Sequence, residues 1–185
     1  MRKRLNSRLS IAGKGVIYNA YDIVGDIAII KVPNDNLEVA NKAAQAVLAV
    51  YPQKVKTVFL QTSAVQGNFR VRELKFLAGA NKTLTTHKES GCIFKVDVEK
   101  CYFSPRLLHE HQRIASLVAS GEIVVNMFSG VGCFSIFIAK KAVAKVYSID
   151  INPTAYECMR ENIRLNRVFN RVVPLLGDSK EIIDA

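Results

Sequence analysis

Hydrophobic and polar positions along the chain follow two different rhythms, which meet near residue 100. In the first part, short apolar or alternating runs predict strands, and these cover residues 23–32, 55–61, 68–77 and 92–98. Apolar residues at helical spacing predict a helix over 37–51, with a turn and cap at 34–36 before it and Pro52 after it. Strands that surround one helix are typical of a small α+β domain.

After residue 100, strands alternate with helices. A helix is predicted over 106–119, directly after Pro105, and its inward side consists of Leu107, Leu108, Ile114, Leu117 and Val118. From Gly121 the order is strand, helix, strand, helix, strand, over residues 123–128, 132–141, 145–150, 153–166 and 171–176. Asn152 caps the second of these helices. This alternation predicts a parallel sheet with right-handed crossovers.

A doubly wound sheet usually has about five or more parallel strands, so we expect this chain to hold only the first half of one. The expected fold class is therefore α/β, with a small α+β domain followed by the first half of a Rossmann-like parallel sheet. The expected segments are a basic N-terminal arm at 1–20, the small domain at 21–99, a connecting helix at 100–120 and the partial sheet domain at 121–185.

Candidate chemistry lies where the three parallel strands end. The run VVNMFSGVGCFSIF puts Gly130 and Gly132 between a strand and a helix, where free backbone N–H groups favour an anion. Because Ser135 replaces the third glycine of a dinucleotide motif, we expect a smaller anion such as a carboxylate. Asp150 ends the second strand, where it can accept ribose hydroxyls, and Asp178 follows the third strand, placed for an adenine amino group. Together these residues predict a nucleoside site.

Two arginines add a second candidate surface. The strand predicted over 68–77 places Arg70 and Arg72 on one polar face, opposite Phe69 and Val71. Guanidinium groups on a strand can bind phosphate or polarise an oxygen, and an ordinary solvated face is the competing interpretation.

Charge points to an anionic partner. The 185 residues include 26 Lys and Arg against 16 Asp and Glu, a net charge of +10, with 49% hydrophobic residues to form a core. The first 21 residues contain five basic side chains and no acidic one. Such a balance favours nucleic acid over a membrane surface, although it also serves solubility.

The sequence lacks the patterns typical of a membrane span, a signal peptide or a cysteine-rich metal site. No apolar run reaches the roughly 18 residues of a membrane span, and no signal-peptide core follows the basic start. The four cysteines show no C-x-x-C spacing, which argues against zinc or dithiol chemistry. We therefore expect a cytoplasmic protein with reduced thiols, no metal site and no membrane partner.

Longer segments of the sequence resemble a known family. NFRVRELKFLAG, HKESGCIFKVDVEKCYFSPRLLHEHQRIA, the glycine run and YSIDINPTAYECMRENIRLN resemble the archaeal and eukaryotic tRNA (guanine-37 N1) methyltransferases, from about residue 20 to 185. The resemblance implies a class I methyltransferase that transfers a methyl group from S-adenosylmethionine to N1 of guanosine 37, beside the anticodon of tRNA. It implies that the cofactor contacts Phe128, Gly130, Gly132, Asp150, Ile151 and Asp178.

The resemblance also implies catalytic roles. Arg70 matches an arginine that stabilises charge on guanine O6, and Glu110 matches the general base. Both roles suit the chemistry, because N1 must lose a proton and charge then spreads to O6. His109 and His111 flank Glu110 and are expected on the surface, since successive helical positions point about 100° apart.

RNA contacts are implied for Arg70, Arg72, Tyr102 and Arg106. Tyr102 and Phe103 can line the cofactor or stack on the target base, and core packing is an equal alternative. Arg106 can meet a phosphate or cap an interdomain surface.

Two departures from the family weaken the match. Asn126 stands where an acid commonly ends the first strand, which removes a charge that would balance the cofactor. We expect the chain to lack the family's N-P-P-Y motif, which helps bind the target base, and its N-terminal tRNA-recognition domain. In the family's strand order the third strand is an edge, which accommodates Pro174. The uncovered edge over 123–128 is then expected to pair with another chain.

Three alternatives to methyl transfer remain. Related wyosine-pathway enzymes transfer the 3-amino-3-carboxypropyl group of the same cofactor, and the R-E-L and S-P-R-L runs favour methyl transfer over that reaction. A non-catalytic RNA-binding fragment would bind RNA without responding to S-adenosylmethionine. A structural remnant would fold only with a missing partner segment.

Overall fold

The computed structural model describes residues 21–33 and 36–184. The basic arm at 1–20 and part of the turn at 34–36 therefore lie outside the described residues. Within these ranges, no helix combines the length and the apolar character needed to cross a lipid bilayer.

A four-stranded sheet forms the first half of the described chain, in the order β1-β2-β3-β4. Its strands are β1 (Tyr21–Val24), β2 (Ile27–Ile30), β3 (Thr57–Gln61) and β4 (Leu74–Gly79). β2 and β3 run parallel, and the other two pairs are antiparallel. The predicted single strand over 23–32 is wrong, because the chain reverses at Gly25 and Asp26. Gly25 has φ +56° there, a backbone angle that glycine adopts without steric cost.

Helix α1 (Leu37–Val50) covers one face of this sheet and confirms the predicted helix. The side chain of Asn36 caps its first turn by accepting a hydrogen bond from Val39 N. The buried side of the helix is built from small residues, namely Ala40, Ala43, Ala44 and Val47. Small side chains allow the helix to lie close to the sheet.

The segment before β4 differs from the strand predicted over 68–77. Residues 68–73 form a loop with one isolated bridge between Gln66 and Val71. Its turn is closed by a hydrogen bond from Arg70 N to Gly67 O, and Arg70 has φ +53°. Arg70 and Arg72 therefore do not share a strand face. The Gly67-Asn68 pair is the turn signal that the alternation concealed.

A β-hairpin links the two halves of the fold. It consists of β5 (Leu84–Glu89) and β6 (Cys92–Asp97), joined by Ser90 and Gly91 at positive φ. β6 confirms the strand predicted over 92–98, with its apolar face buried. β5 is missing from the prediction because its inward residues, Thr85, His87 and Glu89, are polar and give no apolar alternation.

A parallel sheet forms the second half, in the order β7-β8-β9. The strands are β7 (Ile123–Asn126), β8 (Lys145–Asp150) and β9 (Val172–Leu176). The parallel alternation is confirmed, and Pro174 lies in an edge strand as expected. β7 is the other edge, with Ile123 72% exposed.

Helices accompany this sheet. A 3₁₀ turn at Pro105–Leu107 leads into α2 (Leu108–Leu117), and α3 (Cys133–Lys141), α4 (Pro153–Leu165) and α5 (Ser179–Asp184) follow. α2 is shorter than predicted, and Leu117 is 66% exposed instead of inward. His111 is 3% exposed, so its predicted surface position is wrong, whereas His109 is exposed as expected. His111 lies against the rings of Phe134 and Phe137, which replace water around it.

The hairpin is bonded to α4 through two buried amide side chains. Asn162 accepts from Lys95 N at 2.6 Å and donates to Lys95 O and to Val131 O. Asn166 accepts from Ile93 N at 2.9 Å and donates to Ile93 O. Both side chains therefore bond the free edge of β6, and Asn162 also reaches the glycine run.

Replacing Asn162 with Ala should lower the free energy of unfolding by about 2 to 4 kcal/mol, because three buried backbone groups lose their partners. Urea denaturation followed by circular dichroism measures the change. Arg160→Ala, an exposed position on the same helix, is the matched control and should change stability by less than about 0.5 kcal/mol. Equal effects of the two substitutions would contradict this role for Asn162.

Candidate functional site

A cavity of about 510 Å³ opens at the carboxyl ends of the three parallel strands. It is lined by five of the six predicted cofactor residues, namely Phe128, Gly130, Asp150, Ile151 and Asp178. Its other wall comes from the first half of the chain, through Asn68, Phe69 and Arg70, together with Tyr102. The site therefore forms only when the two halves of the fold pack together.

The glycine run forms a tight turn before α3. Gly130 and Gly132 have φ of +55° and +91°, in the left-handed region that favours glycine. Gly130 lines the cavity, whereas Gly132 faces the core, where an added Cβ would lie 3.0 Å from Cγ of Met159. Gly132 thus shapes the turn without lining the cavity.

Asp150 is held at the rim by backbone donors. Its Oδ2 accepts from Gly130 N at 2.6 Å, and its Oδ1 accepts from Asn152 N at 2.9 Å. Asn152 in turn donates to Lys100 O and caps α4. Each carboxylate oxygen keeps a further lone pair, so this fixed carboxylate can still accept hydroxyl hydrogens from a ligand.

A polar network lies beneath the turn. The amide of Asn126 donates to Ser135 Oγ at 3.0 Å, and the hydroxyls of Ser135 and Ser148 are 2.6 Å apart. Ser135 and Ser148 are fully buried. The amide at position 126 is thus part of a neutral buried network, and the negative charge of the cavity comes from Asp150 and Asp178.

The cavity favours a ligand that carries positive charge and hydroxyl groups. Among its lining residues, two carboxylates, Asp150 and Asp178, face one cation, Arg70. Three side chains at the rim are large and partly exposed: Phe69 is 45% exposed, Tyr102 41% and Phe128 79%. Exposed rings around a cavity can stack on a flat ring of a ligand.

Several lining residues were not predicted from the sequence. They are Asn68, Phe69, Met127, Asn152, Ala155, Gly177 and Ser179. Most of them lie next to a predicted residue, so the ends of the predicted strands could have indicated them. Asn68 and Phe69 enter the site because of the turn at Gly67, which the predicted strand did not include.

Arg72 and Arg106 meet at Asp22 instead of lining the cavity. Arg72 donates to Phe103 O at 2.9 Å and to Gln61 Oε1 at 3.2 Å, and its side chain is 11% exposed. Burial lowers the pKa of its guanidinium. Arg106 Nε donates to Asp22 Oδ1 at 2.7 Å, and this side chain is 61% exposed. The structure therefore places Arg72 in the interior and leaves Arg106 accessible.

Glu110 lies on α2 and does not line the cavity. Its carboxylate accepts two hydrogen bonds from Arg113, at 2.8 and 2.7 Å. The Arg113 guanidinium holds the pKa of Glu110 below its usual value. Glu110 is therefore ionised and paired at neutral pH.

The same helix is anchored by a buried carboxylate. Glu89 Oε1 lies 3.4 Å from His111 Nδ1, and Glu89 Oε2 lies 3.4 Å from His87 Nε2. Burial by itself would raise the pKa of Glu89, but the two imidazoles hold it below its usual value. His87 Nδ1 also accepts from Gly25 N at 3.0 Å. This cluster joins α2, the hairpin and the β1–β2 turn.

Comparison with known proteins gives two family matches. Residues 85–185 match the TRM5/TYW2 methyltransferase domain, and residues 1–83 match the TYW2 N-terminal domain. The tRNA (guanine(37)-N(1))-methyltransferase Trm5b of Pyrococcus abyssi is 47% identical over 163 residues, which cover 88% of this chain and 48% of that enzyme. The tRNA(Phe) (4-demethylwyosine(37)-C(7)) aminocarboxypropyltransferase of Methanocaldococcus jannaschii is 39% identical over 88% of this chain and 62% of that enzyme.

Solved structures agree with these matches. The complex of aTrm5 with tRNALeu superposes with a TM-score of 0.84 at 40% identity, over 97% of this chain and 52% of that chain. Methanocaldococcus jannaschii Trm5 in complex with adenosine superposes with a TM-score of 0.77 at 39% identity, over 97% and 52%. The chain thus spans about half the length of these two structures and of the Pyrococcus abyssi enzyme.

Proposed function

Because the chain belongs to the TRM5/TYW2 methyltransferase family, we propose that it acts in methyl transfer from S-adenosylmethionine to N1 of guanosine 37 of tRNA. One observation carries the proposal: a single cavity joins the glycine turn, Asp150 and Asp178 to the loop that bears Arg70. The glycine turn and the two carboxylates suit a charged nucleoside. The loop with Arg70 would face the reacting end of that nucleoside.

Each cofactor residue contacts a different part of S-adenosylmethionine. Asp150, fixed by Gly130 N and Asn152 N, accepts the ribose hydroxyls, and Asp178 accepts from the adenine amino group. Phe128 and Ile151 offer apolar surface at the same rim. When bound, the cofactor supplies a methyl group that its sulfonium already activates.

The chain's own residues handle the proton and the charge. Glu110 takes the N1 proton of the guanine, after its carboxylate leaves the ion pair with Arg113. Arg70 stabilises the negative charge that develops on O6. Since Glu110 does not line the cavity, tRNA binding must bring the guanine and the start of α2 together.

The anticodon loop then contacts the rim. Tyr102 and Phe69 are exposed at the rim, where they can stack on bases. Arg106 can bind a phosphate if its hydrogen bond to Asp22 breaks. Arg72 acts from the interior, by fixing the backbone at Phe103 next to Tyr102. We place the reaction in the cytoplasm, where the four buried free cysteines would stay reduced.

Transfer of the 3-amino-3-carboxypropyl group is the second candidate, because residues 1–83 match the TYW2 N-terminal domain. The two reactions leave different groups on the same nucleotide. Mass spectrometry of nucleosides from a treated tRNA transcript separates them, since the aminocarboxypropyl adduct is far heavier than the methyl adduct. A chain that binds RNA and leaves the transcript unmodified would support the non-catalytic alternative.

Cofactor binding should depend on the rim carboxylates. Asp150→Ala and Asp178→Ala should each weaken S-adenosylmethionine binding by about tenfold or more, because each removes charge-assisted hydrogen bonds worth about 1.5 to 3 kcal/mol. Isothermal calorimetry measures the affinity. Asp184→Ala removes the same charge from an exposed position and should leave binding unchanged. Equal affinity in all three variants would refute the cofactor site.

The pH dependence of the reaction should follow Glu110. Because Arg113 lowers the pKa of Glu110, the base stays ionised to lower pH, and the rate declines only as pH falls through that lowered value. Arg113→Gln should raise this pKa in the free protein, so the acid limb of kcat/KM, which reports the free protein, should move to higher pH. Arg160→Gln, which breaks a similar exposed pair with Glu157, should leave the limb in place. Glu110→Gln should lower the rate while cofactor affinity is kept.

We also propose that two copies of the chain associate through the exposed edge of β7. Ile123 is 72% exposed and Val125 48% on β7, which has one unpaired side among the described strands, and Phe128 just after it is 79% exposed. Light scattering should show a mass that rises with concentration, and Val125→Lys should abolish the rise. Val143→Lys, at another exposed valine, should not. A constant monomer mass would contradict this part of the proposal.

A further inference from the structure

A basic groove lies outside the reaction cavity. It has a volume of about 600 Å³ and is bounded by the β1–β2 turn, the segment after α1 and the β5–β6 hairpin. Four lysines line it, namely Lys54, Lys82, Lys88 and Lys95. No residue of this groove lines the reaction cavity.

The groove is strongly positive. Its lining holds four lysines and one acid, Asp26, a net charge of +3, whereas the reaction cavity carries one cation and two acids, a net charge of −1. Lys82 Nζ lies 2.6 Å from Asp26 Oδ2, so these two charges largely cancel. Lys54, Lys88 and Lys95 make no ion pair with another described residue, so the excess charge of the groove lies on these three side chains.

The hairpin places two of these charges, Lys88 and Lys95, on its outer face. Thr86 and Lys88 lie on the outer face of β5, and Lys95 lies opposite Thr86 in the β5–β6 register. Thr86 and Lys88 are two residues apart, so Lys95 and Lys88 are offset along the hairpin by about 7 Å at roughly 3.3 Å per residue. A double helix places one phosphate of each strand about every 3.4 Å along its axis, so the two lysines can meet different phosphates of one strand. The spacing therefore suits a sugar–phosphate backbone that runs along the hairpin.

A smaller hollow lies between the cavity and the edge strand β1. Tyr102 lines the cavity and also a smaller hollow that contains Lys31 and Arg106. Asp22 of β1 lines that hollow, and the next residue, Ile23, lines the groove. Because successive side chains of a strand point to opposite faces, the hollow and the groove lie on the two sides of β1, and an RNA bound in both would pass around this edge strand.

We propose that this groove binds the sugar–phosphate backbone of tRNA, at a distance from the nucleotide that reacts. This inference rests on the proposed function, which supplies tRNA as the partner. The lysines act as point charges on phosphates, and the exposed Thr86 hydroxyl adds a hydrogen-bond donor. Binding here raises affinity for tRNA without reading its sequence.

The test measures tRNA affinity against salt. Fluorescence anisotropy with a labelled tRNA transcript that has guanosine at position 37 compares the unaltered protein with two triple variants. Lys54→Gln, Lys88→Gln and Lys95→Gln alter the groove. Lys75→Gln, Lys141→Gln and Lys145→Gln form the control, at exposed lysines outside it. Both variants reduce the net charge from +10 to +7, so general attraction to RNA changes equally.

The groove variant should bind tRNA about tenfold or more weakly, and its plot of log K against log salt should be shallower by about 2 to 3, because each lost phosphate contact removes about 0.7 to 0.9 from the slope. The control should keep the slope of the unaltered protein. Calorimetry should give the same S-adenosylmethionine affinity for both variants, since neither touches the cofactor cavity.

Failure of the groove and failure of the proposed function give different results. If the unaltered protein binds tRNA and the two triple variants lose the same affinity, the groove is refuted and the proposed function stands. If the unaltered protein has no measurable affinity for tRNA, both are overturned.

Discussion

The amide side chains of Asn162 and Asn166 give β6 the hydrogen bonds that a neighbouring strand would otherwise give it. This contact decides how the two halves of the chain meet, because α4 belongs to the parallel sheet and β6 leads directly to Tyr102. Asn162 also donates to Val131 O, inside the glycine run. The wall that carries Tyr102 and the wall that carries Gly130 are therefore held by one fully buried side chain. An amide suits the position because it donates and accepts at once.

The cavity and the lysine groove carry opposite net charge, and each charge suits a different kind of ligand. The cavity at the strand ends is net negative, which fits a sulfonium cofactor, and the lysine groove is net positive, which fits phosphate. Lysines in the cavity would repel a ligand that carries positive charge. Among the described residues that line the cavity, Arg70 is the one cation, and a turn at the rim holds it. Under the proposed function, this separation would let one small fold bind a cationic cofactor and a polyanion.

Buried polar groups also fix the helix that carries Glu110. Glu89 lies between His87 and His111, which brings together β5, α2 and, through Gly25, the first hairpin. A carboxylate in such a place keeps its charge only because imidazoles face it. α2 is thus attached to the hairpin from the inside, while Glu110 and Arg113 remain on the outside and free to exchange partners.

The sequence by itself determined the parallel sheet, the glycine turn and the carboxylates that end β8 and follow β9, because strand-helix alternation and strand ends are local signals. The division into segments at residues 20, 99 and 120 stays a prediction, as do the catalytic roles of Arg70 and Glu110. Only the tertiary structure decided where polar residues lie. β5 escaped prediction because its inner face is polar, and Arg72 and His111 are interior because Asp22, Phe103 and Glu89 receive them. A buried polar side chain depends on partners distant in sequence, and no periodicity records them.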